Sequence, residues 1–218
     1  MSTFYNIKSV ALAGLIAIGL IVQASPSRAA DSETLIIAGG CFWCVEADFE
    51  KVAGVTDAVS GFAGGKSSDP TYKQVILGDT GHYEAVQVTF DPDVVSAGQL
   101  LHLFFRSIDP TDAGGQFCDR GPSYRTAIFA TPDQKAAAKQ AKLNAQSELG
   151  QEIVTPVLSA NTFFPADAFH QDYAKGTKLV VTRFGPKTQA NAYKSYRKGC
   201  GRDSRVKELW GTAAPFAG

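Results

Sequence analysis

The pair Gly39-Gly40 constrains the fold of this chain more than any other feature. Before it, residues 34–38 form a short apolar run that reads as a buried strand. After it, Phe42, Val45, Phe49 and Val52 recur at helical spacing and predict a helix over 41–52, ended by Gly54. The chain therefore passes from strand to helix across two glycines. Residues 55–62 are a second strand, closed by Gly64-Gly65, and 71–77 a short helix. Residues 84–90 alternate with period two and form a third strand; 97–107, rich in Leu and Phe, form a helix. A loop with Gly114-Gly115 and Gly121-Pro122 leads to a strand over 124–130. Thr131-Pro132-Asp133-Gln134 has the form of a helix start, with Thr131 as N-cap, Pro132 as first helical residue and Gln134 completing a capping box. That Ala-rich helix ends near Leu149-Gly150, and 154–159 form a last strand. Beyond it the aromatic and Gly/Lys-rich sequence shows little regular structure. The order β-α-β-(short α)-β-α-β predicts an α+β chain, a ferredoxin-like split βαβ sandwich with additional helices and a long irregular C-terminal tail.

Lys8 precedes an apolar run over 10–22, followed by Ser25, Pro26, Ser27 and then Arg28-Ala29-Ala30. A basic start, an apolar run of about 7–15 residues and small residues at a cut site describe a secretory leader. The run falls short of the roughly 20 apolar residues of a membrane-spanning helix. Residues 1–29 are expected to be removed, leaving 30–218 as a single exported domain, periplasmic or extracellular, with no stable membrane insertion. The 218 residues are 44% hydrophobic, with 21 basic against 21 acidic side chains, which gives no basic surface for nucleic acid or anionic lipid. A core of this size sustains itself without disulfides. The single methionine is Met1, so the mature domain offers no methionine to oxidants.

All four cysteines, Cys41, Cys44, Cys118 and Cys200, lie in the mature part, and sequence does not choose among their pairings. Cys41 stands between a strand and a helix start, where unpaired backbone N–H groups stabilise a thiolate and lower a cysteine pKa. Such a cysteine is a candidate nucleophile; a disulfide cysteine in a tight turn is the alternative. Phe42 and Trp43 follow. Phe42 falls on the core stripe, whereas Trp43 lies off it and offers an apolar wall for a group as small as a methyl. Cys44 completes a C-x-x-C, open to three readings: a redox dithiol, half of a metal site, or a packed thiol. Zinc needs about four ligands, usually from a second paired motif, and the histidines are scattered, so no metal is expected. On the third strand Glu84 shares the buried face of Val86, Val88 and Phe90. A carboxyl buried there has its pKa raised and can donate a proton, unless it reaches solvent from the strand end.

Together these residues resemble the A-type peptide-methionine (S)-S-oxide reductases, over nearly the whole mature chain. Gly40-Cys41-Phe42-Trp43 carries the specific motif. Gly61-Phe62-Ala63-Gly64-Gly65, Pro70-Thr71-Tyr72, the run from Gly78 through Tyr83-Glu84-Ala85-Val86, Asp119-Arg120-Gly121-Pro122-Ser123-Tyr124 and His170-Gln171-Asp172-Tyr173 follow in order. The resemblance implies that Cys41 attacks the sulfoxide sulfur and that Glu84 protonates or hydrogen-bonds the oxygen, helped by Tyr72 and Tyr124. It implies that Phe42 and Trp43 hold the substrate methyl and that Asp119 contacts the substrate backbone or orders the site. The Cys41 sulfenic acid then condenses with a second thiol. Cys200, flanked by Gly199 and Gly201, fits the family's recycling cysteine in a mobile tail and is expected to act first, with Cys44 as a secondary partner. Many members have glycine where this chain has Cys44, and Phe62 replaces a common tyrosine. Residues 163–169 depart from a more acidic, tyrosine-rich version. Cys118, beside Asp119, reads as a packed free thiol or as lining the site.

The resemblance implies no bound cofactor, an external thioredoxin-like dithiol reductant, and oxidised proteins or peptides as partners of a monomer. A general thiol–disulfide oxidoreductase using Cys41 and Cys44, and a metal-binding or disulfide-stapled secreted module, are the competing readings.

Overall fold

The computed structural model describes residues 32–183 and 185–217; the leader expected over 1–29 lies outside them. Its first half follows the sequence pattern closely: β1 (Glu33–Gly39), α1 (Phe42–Phe49), β2 (Val55–Ala63), α2 (Tyr72–Ile76), β3 (Tyr83–Phe90) and α3 (Ala97–Phe105). Short strands β4 (Gly115–Gln116) and β5 (Asp119–Arg120) then precede β6 (Thr126–Ala130), α4 (Lys135–Leu149), β7 (Val157–Ser159) and β8 (Phe164–Pro165). The main sheet runs β7-β6-β1-β3-β2-β8, antiparallel at every pairing except β6 with β7.

Register decides which side chains meet. Leu35 pairs with Val88 and Ile37 with Val86 between β1 and β3, and Ile37 pairs with Ile128 of β6. These side chains form one face, which packs with Phe42, Val45 and Phe49 of α1 and with Leu100, Leu101, Phe104 and Phe105 of α3 in a single buried cluster. Full burial of each such side chain favours folding by about 1.5–3 kcal/mol. Successive strand residues alternate faces, so Ala38, Ala63, Ala85, Ala127 and Phe129 form a smaller cluster of their own. Ser96 and Gln99 cap α3 reciprocally, as Thr71 and Gln74 cap α2.

Three expected boundaries move. The Thr131–Gln134 capping bonds form, both at 3.3 Å, but a turn closed by Gln134 N to Thr131 O delays the regular helix to Lys135. Tyr124 lies in a 3-10 turn, Pro122–Tyr124, with Pro122 at its start, and not in a strand. The strand expected from residue 154 begins at Val157; Pro156 has no N–H to give, although its carbonyl accepts from Ile128 N at 3.0 Å.

The expected irregular C-terminal tail is not found. A hairpin of β9 (Leu179–Thr182) and β10 (Gly185–Thr188) leads into α5 (Gln189–Gly199) and α6 (Arg202–Trp210). Their buried stripes are carried by Tyr193, Arg197, Arg202, Val206 and Trp210, so a pattern built on aliphatic residues passes over them. The arginines are buried because they are paired. Arg197 donates to Asp48 Oδ1 at 2.8 Å, and Arg202 to the carbonyls of Gly39 at 3.1 Å and Ser107 at 2.9 Å. Among the described residues no helix is long and apolar enough to cross a membrane.

Candidate active site

The corner between β1 and α1 builds the site. Gly40 has φ +81°, and a Cβ there would lie 2.5 Å from Gln116 Cβ, so the turn into the helix requires glycine on both counts. It delivers Cys41 to the N-cap position of α1 and Cys44 into the first turn, both buried in one cluster.

Glu84 comes up beside them from β3, opposite Phe62 in the register with β2 and only 1% exposed. Its Oε2 accepts from the Phe42 amide at 3.0 Å. Burial outweighs that bond and pushes the carboxyl up to about 8, so Glu84 is protonated at neutral pH. The buried position read from the strand pattern is the one observed.

The Cys41 thiol departs from expectation. Burial, reinforced by Cys44 and Glu84, pushes it well above the ordinary cysteine range, while its proximity lowers Cys44. The helix N-terminus does not depress Cys41 because its first amide is spent on Glu84 and the thiol is cut off from water.

Tyr72 lies at the start of α2 and Tyr124 in the 3-10 turn, and the ionisation of both is pushed up by burial and by Glu84. Phe42 and Trp43 form part of an aromatic wall. Trp43 stacks on Tyr173 at 3.7 Å between centroids, and His170 packs against Phe42 at 5.3 Å and Tyr72 at 4.3 Å. Asp119 on β5 accepts a hydrogen bond from the Tyr196 hydroxyl, and burial pushes its carboxyl up.

Cys200 is not in a mobile tail. It caps the end of α5, with Gly201 starting α6, and is disulfide-bonded to Cys118 at a Cα–Cα distance of 4.8 Å. This corrects the reading of Cys118 as a packed free thiol. Both cysteines line a cavity of about 430 Å³ together with Trp43, Tyr173 and Tyr196. The structure thus gathers every sequence-predicted site residue around two connected centres: Cys41 with Glu84, and the disulfide. Sequence reasoning gave no role to Tyr196 or His170, nor to Glu46, whose buried carboxyl accepts from Ser60 Oγ and Asp172 N. His170 and Tyr173 lay within a quoted motif, whereas Tyr196, in a stretch read as irregular, carried no signal.

Residues 33–210 match the family described as peptide methionine sulfoxide reductase. A peptide methionine sulfoxide reductase MsrA 2 of Rhizobium meliloti is 49% identical over 194 residues, covering 88% of this chain and 90% of that one. One of the same name from Caulobacter vibrioides is 45% identical over 197 residues, covering 89% and 94%. Among solved structures, methionine sulfoxide reductase A of Corynebacterium diphtheriae superposes with a TM-score of 0.62 at 32% identity, over 66% of this chain and 74% of that chain. Mxr1 from Saccharomyces cerevisiae in reduced form gives 0.63 at 32%, over 66% and 84%. The chain belongs to the peptide methionine sulfoxide reductase family and is an oxidoreductase that reduces methionine sulfoxide.

Proposed function

We propose that this enzyme reduces the S epimer of methionine sulfoxide in oxidised proteins and peptides, and free where it is available. The observation that carries this reading is the buried Cys41 thiol beside a carboxyl, Glu84, held protonated under the Phe42–Trp43 wall. Cys41 attacks the sulfoxide sulfur while Glu84, supported by Tyr72 and Tyr124, protonates the oxygen. The oxygen passes to Cys41, giving methionine and a sulfenic acid. Phe42 and Trp43 take the methyl group, and Asp119 orders the site.

Cys44 and Cys200 are the resolving cysteines. Cys44 acts first because it stands three residues from Cys41 in the same buried cluster, whereas Cys200 lies on the cavity wall beside Cys118. Cys44 condenses with the sulfenic acid, releasing water. With Cys118 and Cys200 as free thiols, exchange with the Cys41–Cys44 disulfide then returns Cys41 and Cys44 to thiols and forms the Cys118–Cys200 disulfide, where Cys118 is exposed to a thioredoxin-like dithiol that reduces it for the next turnover. No bound cofactor takes part.

The same reading makes residues 1–29 a cleaved export leader and 30–218 one monomeric domain outside the cytoplasm. It places the core among ferredoxin-like split βαβ sandwiches, supported by the strand order β6-β1-β3-β2 with α1 and α3 packed in the same cluster. Single-turnover reduction of the two sulfoxide epimers, followed by disulfide mapping and N-terminal sequencing of the exported protein, tests it. Equal consumption of both epimers would contradict the stereochemical assignment. A retained Met1 in a cytosolic protein would contradict the export assignment.

A further inference from the structure

The hairpin of β4 and β5 turns through Phe117, at φ +54°, and Cys118, and pairs Gln116 with Asp119. Gln116 anchors it: its side chain accepts from Asp109 N at 2.9 Å and donates to the carbonyls of Asp109 at 2.7 Å and Gly115 at 2.8 Å. Facing it, Cys200 ends α5, with its N–H on the Tyr196 carbonyl at 2.9 Å. These bonds fix both cysteines independently of the disulfide, so reduction leaves two thiols face to face. Asp119 completes the group. Ligand atoms of Cys118, Asp119 and Cys200 all lie within 4.8 Å of one another, and Asp119 Oδ1 is 3.8 Å from Cys118 Sγ. Its other oxygen, Oδ2, accepts from the Tyr196 hydroxyl.

We propose that the reduced pair, Cys118 and Cys200, binds zinc together with Asp119, and that the metal withholds these thiols from the exchange that ends each turnover. A dithiol reductant cleaves the Cys118–Cys200 bond and is itself oxidised to a disulfide. The two thiols then yield their protons to solvent as Zn²⁺ takes both thiolates and Asp119 Oδ1. No electron moves in the metal step. Reoxidation of the pair destroys the site, because the thiolate is the metal ligand and a disulfide sulfur carries no charge. Binding requires only these three residues; its effect on turnover rests on the exchange route proposed for Cys41 and Cys44.

The donor set selects the metal. Soft thiolates favour zinc over magnesium or calcium, which take oxygen ligands. Sulfurs on one tetrahedral zinc, each about 2.3 Å from it, stand about 3.8 Å apart. Rotation of the freed side chains reaches that spacing at the Cα–Cα distance of 4.8 Å. Three protein ligands leave a fourth position for water. The Tyr196 hydroxyl on Oδ2 orients the carboxylate, as the outer partner of a metal ligand does. The other clusters offer less. Among the described residues Cys41 and Cys44 gather no third ligand within the same reach, and Glu46, Glu50 and Asp172 present only hard oxygens, two of the three carboxylates being paired with Lys175.

For the test, the full chain is reduced with a phosphine, freed of reductant under anaerobic conditions and titrated with zinc against a chromophoric chelator. One zinc per chain is expected in the reduced protein and none in the oxidised one, a comparison that needs no variant. The double variant Cys41→Ser/Cys44→Ser should bind zinc as wild type does. Cys118→Ser and Cys200→Ser should lose it. Tyr196→Phe, which keeps the ring edge-on to Trp43, should weaken it by roughly 10–100-fold, the usual loss when the outer partner of a ligand is removed. One equivalent of S-sulfoxide given to the reduced protein should leave the disulfide at Cys41–Cys44 when zinc is present and at Cys118–Cys200 when it is absent. No stoichiometric zinc in the reduced protein, equal zinc in the oxidised form, or zinc lost only from Cys41→Ser/Cys44→Ser overturns the site. Zinc bound there while the disulfide still reaches Cys118–Cys200 overturns its hold on the exchange. A reduced protein that binds zinc but does not consume the sulfoxide, with or without the metal, would instead sink the underlying reading.

Discussion

The amide of Phe42, first in α1, donates to Glu84 Oε2 at 3.0 Å and ties the residue after Cys41 to the carboxyl buried beside it. That bond favours the carboxylate, yet burial prevails and leaves Glu84 near 8. The acid form is the useful one, so the sulfoxide step should be fast below that pH and decline as pH rises through about 8. Glu84→Gln should remove this alkaline limb and slow the step by roughly 10²–10⁴-fold with little change in affinity. Stopped-flow measurement of sulfenic acid formation against pH checks it; an unchanged rate constant would show that the carboxyl is not the acid.

Cys41→Ser should abolish reduction, since a hydroxyl does not replace a thiolate, while leaving the fold intact. Cys44→Ser should still release one methionine per enzyme but accumulate the sulfenic acid. Trapping with a sulfenic-specific reagent after one equivalent of sulfoxide measures this. Rapid disulfide formation in Cys44→Ser, with no trapped adduct, would return the first resolving step to Cys200.

Arg202 is 2% exposed and satisfies the carbonyls of Gly39 and Ser107, with its guanidinium over the Phe117 ring at 4.8 Å. Arg202→Met keeps most of the volume but leaves two buried acceptors unpaired, at a cost of about 1–3 kcal/mol for each. The urea midpoint should fall accordingly with an unchanged m-value. A midpoint equal to wild type would mean water replaces the guanidinium.

Glu46 is buried, and desolvation pushes it up to about 7 although Ser60 and the Asp172 amide favour its charge. A carboxyl raised in the folded state binds a proton more tightly there than in the unfolded chain. Its contribution is therefore complete below the ordinary glutamate range and is lost as pH rises through about 7. Glu46→Gln should flatten that decline. Thermal melts across this interval measure it, and parallel pH profiles for the two proteins would exclude Glu46 as the source.

The sequence determined what depends on local chemistry and short periods. The β1–α1 corner follows from Gly39-Gly40, because the positive φ of Gly40 and the approach of Gln116 admit no side chain. The burial of Glu84 follows from alternation along one strand, and the position of Cys41 at the helix start from that corner. Tertiary structure alone decided the rest. The ionisation of Cys41 is governed by burial and by where the helix's first amide points, and neither is visible locally. The C-terminal helices escaped detection because buried arginines, paired with Asp48 and with backbone carbonyls distant in sequence, take the place of aliphatic residues on their inner faces. Cys118 meets Cys200 across a separation of 82 residues, and Tyr196 meets Asp119 and the cluster that holds Cys41, only because α5 packs over the corner. Contacts of that range leave no periodic trace in a sequence; they exist once the core has fixed the elements that carry them.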